Sequence, residues 1–181
     1  MGEERNIGKS QGPQIDFHKI IGAVRNFSDI QNALKKSIDE MKERGIQKIG
    51  FVSGPVAKNS EPDPELRRKS TMENSERMRK YAAQLREEQG FPVFASTDIF
   101  DIIWDDLEEL KRVKEGTLSR EEMSAMMKPL FQEVLRSGVT DIYMIPGWDQ
   151  SEGAVDEFKT AQEIGINIHY LELNPGEQDR K

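Results

Sequence analysis

Apolar residues in the first quarter of the chain recur at intervals of three and four positions. This spacing predicts one amphipathic helix between residues 17 and 24, and a second that starts near Ser28, a suitable N-cap, and ends at Gly45. Residues 1–15 are polar and have no periodicity, so we expect a loose, flexible tail there. Residues 16–45 are interpreted as an N-terminal helical extension.

The hydrophobic period changes after residue 45. Short apolar runs predict four strands, at residues 46–55, 91–96, 141–146 and 166–173. Helical patterns lie between successive strands, at about 78–90, 99–113, 119–138 and 151–163. Ser119 and Glu122 match the capping box of a helix start. The segment 57–74 is polar and contains prolines, which predicts a long loop.

Strands that alternate with helices predict an α/β fold. We expect a flavodoxin-like or Rossmann-like parallel sheet of four or five strands, with helices on both faces, over residues 46–175. Ligands of such sheets bind beyond the carboxyl ends of the strands. This rule selects three loops as candidate binding segments, at residues 53–75, 96–105 and 146–153.

Composition narrows the classes of function. The net charge of −7 argues against a non-specific nucleic-acid binder, which needs a basic surface. The absence of cysteine excludes disulfides and thiol nucleophiles, and His18 and His169 match no zinc-binding spacing, so no metal or cofactor is expected. No apolar run is long enough to span a membrane, and the N-terminus lacks an apolar signal core. We therefore expect a soluble, cytoplasmic protein.

The segment 145–157, IPGWDQSEGAVDE, is the most informative part of the chain. Ser151 or Asp149 is suited to cap the helix that follows, and the first amides of that helix then form a ready anion site. On a helical wheel Glu157 falls on the flank of the apolar face. Gly153 lies one turn earlier and about 40° away, so its missing side chain leaves room for a ligand to reach the Glu157 carboxylate.

Each of these features also has an ordinary structural explanation. Ser-x-Gly is a common start of a helix, and a Glu in the second turn is usually a solvated surface charge. The residues alone leave the catalytic and the structural interpretations of Glu157 both open.

The spacing Ser151-x-Gly153-x-x-x-Glu157 after a strand resembles the signature of the nucleoside 2-deoxyribosyltransferase superfamily. The wider pattern, PGW followed by S-x-G-A-x-x-E, resembles its small bacterial and phage members and the nucleoside 5′-monophosphate N-glycosidases that hydrolyse CMP or hydroxymethyl-CMP. The run FVSGP at 51–55 and Trp104 after strand two extend the resemblance over roughly residues 47–173. The resemblance also implies a homo-oligomer.

One position within this pattern bears on the substrate. Free-nucleoside transferases of the superfamily typically carry Asp six residues before the catalytic Glu, whereas the monophosphate hydrolases carry Ser, and this chain has Ser151. An Asp would repel a phosphate, whereas a hydroxyl group at a helix N-terminus donates to one. The resemblance therefore implies a nucleoside 5′-monophosphate as substrate.

The resemblance further implies that Glu157 stabilises or attacks the anomeric carbon while an Asp protonates the departing base. Positions 131–134, where family members supply that Asp, read FQEV; Glu133 is a weak substitute, and among Asp98, Asp101 and Asp105 after strand two we favour Asp98. The residues expected to bind substrate or phosphate are Ser53, Gly54, Arg67 or Arg68, Trp148, Ser151, Glu152 and Gly153. Trp148 either stacks on a base or packs under its loop.

Three alternatives stay open at this point. The first is a nucleoside 2-deoxyribosyltransferase, in which a second base replaces water as the acceptor of the sugar. The second, a cytokinin-type phosphoribohydrolase, ranks lower because PGWDQSEGAVDE lacks the paired glycines and the Gly-Thr of the PGGxGTxxE loop. The third is a non-catalytic nucleotide-binding or sensor module, which needs the anion site but no acid.

Overall fold

The computed structural model describes residues 26–56, 63–98 and 119–173 of the chain, together with positions 112 and 117. Three predicted segments lie outside the described residues: the tail at 1–15, the helix between residues 17 and 24, and most of the helix at 99–113. Trp104, Asp101 and Asp105 fall in the same undescribed part.

Four short strands form one parallel sheet. They are β1 (Gly50–Ser53), β2 (Val93–Ala95), β3 (Asp141–Met144) and β4 (Asn167–Tyr170). Their order across the sheet is β2-β1-β3-β4, and every neighbouring pair is parallel. In the register of the sheet, Phe51 of β1 lies between Phe94 of β2 and Ile142 of β3. The predicted α/β class with a parallel sheet is confirmed.

Four helices connect and flank these strands: α1 (Phe27–Glu43), α2 (Pro64–Gln89), α3 (Arg120–Arg136) and α4 (Glu152–Ile164). The capping box of Ser119 and Glu122 is present as predicted. The N-cap of α1 is Asn26, whose side chain accepts from the Asp29 amide at 2.9 Å, so the prediction of Ser28 was wrong by two residues. Within the described residues, none of the helices is both long enough and apolar enough to cross a bilayer.

The prediction of a loop over 57–74 was wrong in its second half. Asp63 caps α2 by accepting from the amides of Glu65 and Leu66, and Pro64 occupies the first turn, where its missing N–H costs nothing. Among the described side chains, the first half of α2 contributes none to the buried core, so it shows no hydrophobic period that a sequence pattern could reveal. Arg67 and Arg68 are therefore part of a helix, not of a loop.

The sheet is covered on both faces, each with its own apolar cluster. On one face, helices α1, α3 and α4 pack on β-strand residues that include Phe51, Phe94 and Ile142. On the other face, the second half of α2 packs on Val52 and Val93. Because α1 shares the first cluster with α3 and the sheet, this part of the predicted extension is built into the domain.

Candidate functional site

The carboxyl end of β1 and the second turn of α4 bring two polar side chains together. Ser53 is the last residue of β1 and is 1% exposed, and its hydroxyl group donates a hydrogen bond to Oε2 of Glu157. Helix α4 lies against β3 and β4, so a residue on its flank reaches across to the neighbouring β1. The sequence suggested both residues for the site, and the structure adds that they contact each other.

Burial changes the acidity of Glu157. Desolvation raises the pKa of its carboxyl group to about 8; the hydrogen bond from Ser53 lowers the pKa and the nearby charge of Asp156 raises it. The Glu157 residue keeps part of its surface accessible while protein surrounds the acid group. Without a ligand, this acid is mostly protonated at neutral pH, and a positive charge beside it would favour the ionised form.

The first turn of α4, which precedes the turn that carries Glu157, offers backbone donors. Ser151 is the N-cap: its Oγ accepts from the Ala154 amide at 3.4 Å, and its own amide donates to the carbonyl of Trp148 at 3.0 Å. Within the described part of the chain, the amides of Glu152 and Gly153 have no protein acceptor, as expected for the first turn of a helix. The alternative cap, Asp149, lies in a short 3-10 turn and is exposed.

Gly153 has no packing reason to be glycine. A Cβ atom built on it would meet nothing within 4 Å, and its backbone does not have a positive φ. A glycine inside a helix costs about 1 kcal/mol relative to alanine, so the structure gains no stability from this choice. The open space at Gly153 is the gap that the helical wheel placed near Glu157.

Gly54 is different, because a Cβ atom there would lie 2.2 Å from Cγ1 of Ile145. The backbone after β1 therefore approaches the residue after β3 as closely as only a glycine allows. This close contact gives Gly54 a packing role at the edge of the site, and its predicted contact with phosphate stays a prediction.

Trp148 belongs to the loop that follows β3. Its ring packs on Phe158 of α4, with ring centres 4.7 Å apart, and lies 6.1 Å from the ring of Tyr170. Of the two interpretations of Trp148, this contact with the apolar cluster of α4 favours packing over stacking on a base.

The structure does not favour Asp98 as the proton donor. Its carboxylate accepts from the Arg86 guanidinium and from the Ala95 amide, the latter at 2.9 Å. Arg86 also donates to the carbonyl of Val93 at 2.8 Å, so the pair fastens the end of β2 to α2. A cation and an amide bound to a carboxylate favour its ionised form, which has no proton to give to a departing base. Asp98 is therefore reassigned to a structural role.

Other acidic residues also have structural partners. Glu133 pairs with Lys35 of α1 at 3.4 Å and lies near the end of α3 that leads into the amino end of β3. Asp156 on α4 pairs with Lys128 at 2.9 Å. The start of α4 brings together Ser151, Glu152 and Gly153. The side chain of Arg67 lies outside the part of the chain that the structure describes.

A separate polar cluster lies at the opposite end of the sheet. Asp141 begins β3, accepts from the Thr140 hydroxyl at 2.7 Å and lies 2.8 Å from Nε2 of His169. The side chain of His169 is 44% exposed and lies on the edge strand β4, so it is not a core residue. In the described ranges, no three His, Asp or Glu side chains are arranged to hold a metal ion.

Sequence reasoning missed the polar face of α2. Asn74 donates to the carbonyl of Val56 at 3.2 Å, and Arg77 donates to the carbonyl of Pro146 at 2.8 Å. Tyr81 donates to the carbonyl of Glu172 at 2.9 Å. The sequence signal for this polar face was the spacing of the three donors at i, i+3 and i+7. It was obscured because Tyr81 also fits the apolar stripe of the same helix.

A family model described as Domain of unknown function (DUF4406) matches residues 72–170, more than half of the chain. The chain belongs to the DUF4406 family. The DUF4406 match begins within α2 and ends with β4, so it contains Ser151, Gly153 and Glu157 but not Ser53. Searches of curated proteins and of solved structures found no match.

Proposed function

We propose that the chain hydrolyses the N-glycosidic bond of a nucleoside or deoxynucleoside 5′-monophosphate and releases the free base and the sugar phosphate. The observation that carries this proposal is the Glu157 carboxyl group, which is bound by Ser53 and lies on the same helix as the unpaired first-turn amides of α4. The resemblance of the S-x-G-A-x-x-E pattern to the monophosphate N-glycosidases supports the same substrate class.

The reaction needs Glu157 as a carboxylate. It attacks C1′ of the sugar, the bond from C1′ to the base nitrogen breaks, and the electron pair leaves with the base. Water then adds to C1′ and displaces Glu157, so that over the whole reaction the base gains the proton and the sugar gains the hydroxyl group of one water molecule. Positive charge that develops on the sugar favours the ionised form of Glu157 in the transition state.

The first turn of α4 suits the phosphate end of such a substrate. The amides of Glu152 and Gly153 are donors at the positive end of the helix dipole. The Ser151 hydroxyl oxygen accepts from Ala154, which leaves its proton to be donated to a phosphate oxygen. Glu152 and Glu157 are five residues apart, a rise of about 7.5 Å along the helix, which is the length scale of a pentose phosphate.

The test is to incubate the chain with a panel of ribo- and deoxyribonucleoside 5′-monophosphates and the corresponding nucleosides, and to separate free base by chromatography. We expect base release from a monophosphate and not from the free nucleoside. Glu157→Gln should abolish release while it leaves nucleotide binding largely intact. Glu163→Gln, an exposed change on the same helix, is the matched control and should keep full activity. Turnover of nucleosides alone would refute the assignment of substrate.

A second base added to the same reactions tests for transfer. Formation of a new nucleotide, with the added base on the sugar phosphate, would identify a transferase in place of a hydrolase. Release of base that is independent of the added base supports hydrolysis.

One observation favours a second candidate, a nucleotide-binding or sensor module. Asp98, the proton donor favoured from the sequence, is bound to Arg86, and a binding protein needs no acid. Calorimetric titration with the same nucleotides separates the two functions: tight binding without base release would favour the module over the enzyme.

A further inference from the structure

Helix α2 connects segments that follow three strands of the sheet. Asn74 donates to the segment after β1, Arg77 to the segment after β3 and Tyr81 to the segment after β4, each through a backbone carbonyl. These residues are at i, i+3 and i+7, so they lie along one face of the helix. The Arg77 guanidinium also lies 5.8 Å from the centre of the Tyr81 ring, which links two of the three donors.

Arg77 contacts the segment that leads to the proposed site. Within the 146–151 loop, backbone amides donate to the carbonyls of Ile145, Gly147 and Trp148. The carbonyl of Pro146 receives the Arg77 side chain instead. On its other side the loop is fixed by Trp148, which packs on Phe158. The loop is thus held between α2 and α4, and it ends at Ser151, the cap of the helix that carries Glu157.

We propose that Arg77 is a positioning residue, whose bond to the Pro146 carbonyl fixes the 146–151 loop and thereby the start of α4, the helix that carries Glu157, relative to Ser53. The catalytic part of this proposal rests on the proposed function. A hydrogen bond from a charged donor to a partly buried carbonyl is among the stronger side-chain bonds, so its loss should loosen the loop. A displacement of about 1 Å in a site of this kind lowers turnover by about 100-fold.

The first experiment needs no substrate. Hydrogen exchange over residues 147–153 is compared between the wild-type chain and Arg77→Ala. At the hydrogen-bonded amides of Trp148, Gln150 and Ser151 we expect at least about tenfold faster exchange in the variant. Arg86→Ala is the matched control, because Arg86 lies on the same helix and donates to the Val93 carbonyl at 2.8 Å. This control should accelerate exchange at 93–98 and leave 147–153 unchanged. Unchanged exchange at 147–153 in Arg77→Ala would overturn the proposal.

The second experiment measures kcat and KM for the nucleotide that the panel identifies. A positioning role predicts a fall in kcat of about 10-fold to 100-fold in Arg77→Ala with little change in KM. Arg77→Lys retains one charged donor and should recover part of both kcat and loop protection, and it replaces the alanine variant if that variant does not fold. A raised KM with kcat intact, or no recovery in the lysine variant, contradicts the positioning role. If the wild-type chain releases no base, the proposed function fails, and the exchange data still decide whether Arg77 fixes the loop.

Discussion

Replacing Glu157 with glutamine should stabilise the protein, and the gain should depend on pH. Burial holds the pKa of Glu157 at about 8, whereas the ordinary value of an exposed Glu is 4.5. Between these two values the unfolded chain has lost a proton that the folded protein keeps, so stability falls as the pH rises from 4.5 and levels off above 8. Glutamine does not titrate, and its amide oxygen still accepts from Ser53.

The size of this effect follows from the two pKa values. Each pH unit well inside the interval costs the wild-type protein about 1.4 kcal/mol. Because the cost per unit is smaller close to 4.5 and close to 8, the advantage of Glu157→Gln should grow by about 3 to 4 kcal/mol between pH 5 and pH 8. Urea unfolding followed by circular dichroism at both pH values measures this difference, and Glu163→Gln corrects for the loss of an exposed carboxylate on the same helix. An advantage that is equal at the two pH values would refute the argument that burial makes Glu157 a weak acid.

The same site supports three further predictions. The rate of base release should rise with pH through about 8, because the reaction needs the ionised form of Glu157; a rate that falls over this range would assign Glu157 the role of an acid. Ser53→Ala removes a hydrogen bond that lowers the pKa of Glu157, so the rising limb of the pH profile should move to higher pH, and a profile that stays in place would contradict this contact. Gly153→Ala should raise the free energy of unfolding by about 1 kcal/mol and at the same time weaken nucleotide binding measured by calorimetry. Unchanged binding in this variant would show that no ligand passes close to that backbone.

The sequence predicted most of the fold because the relevant signals are local. The alternation of strands and helices determined the parallel sheet, and the glycines at 45, 90 and 165 end helices where a left-handed residue is needed. The first half of α2 could not be found in this way. It is held by its cap at Asp63 and by its continuity with a packed second half, so its own residues show no apolar period.

The site was only partly predictable. Helical geometry along thirteen residues of α4 was sufficient to place Glu157 beside the gap at Gly153 and to name Ser151 as the cap. The contact of Glu157 with Ser53 joins residues 104 positions apart. The attachment of Asp98 to Arg86 and the donation from Arg77 to Pro146 likewise join separate elements. Such pairs depend on the order of the strands and on the side of the sheet that each helix covers. No local spacing along the sequence encodes these two properties. Only the tertiary structure, in which the whole chain is packed, decides them.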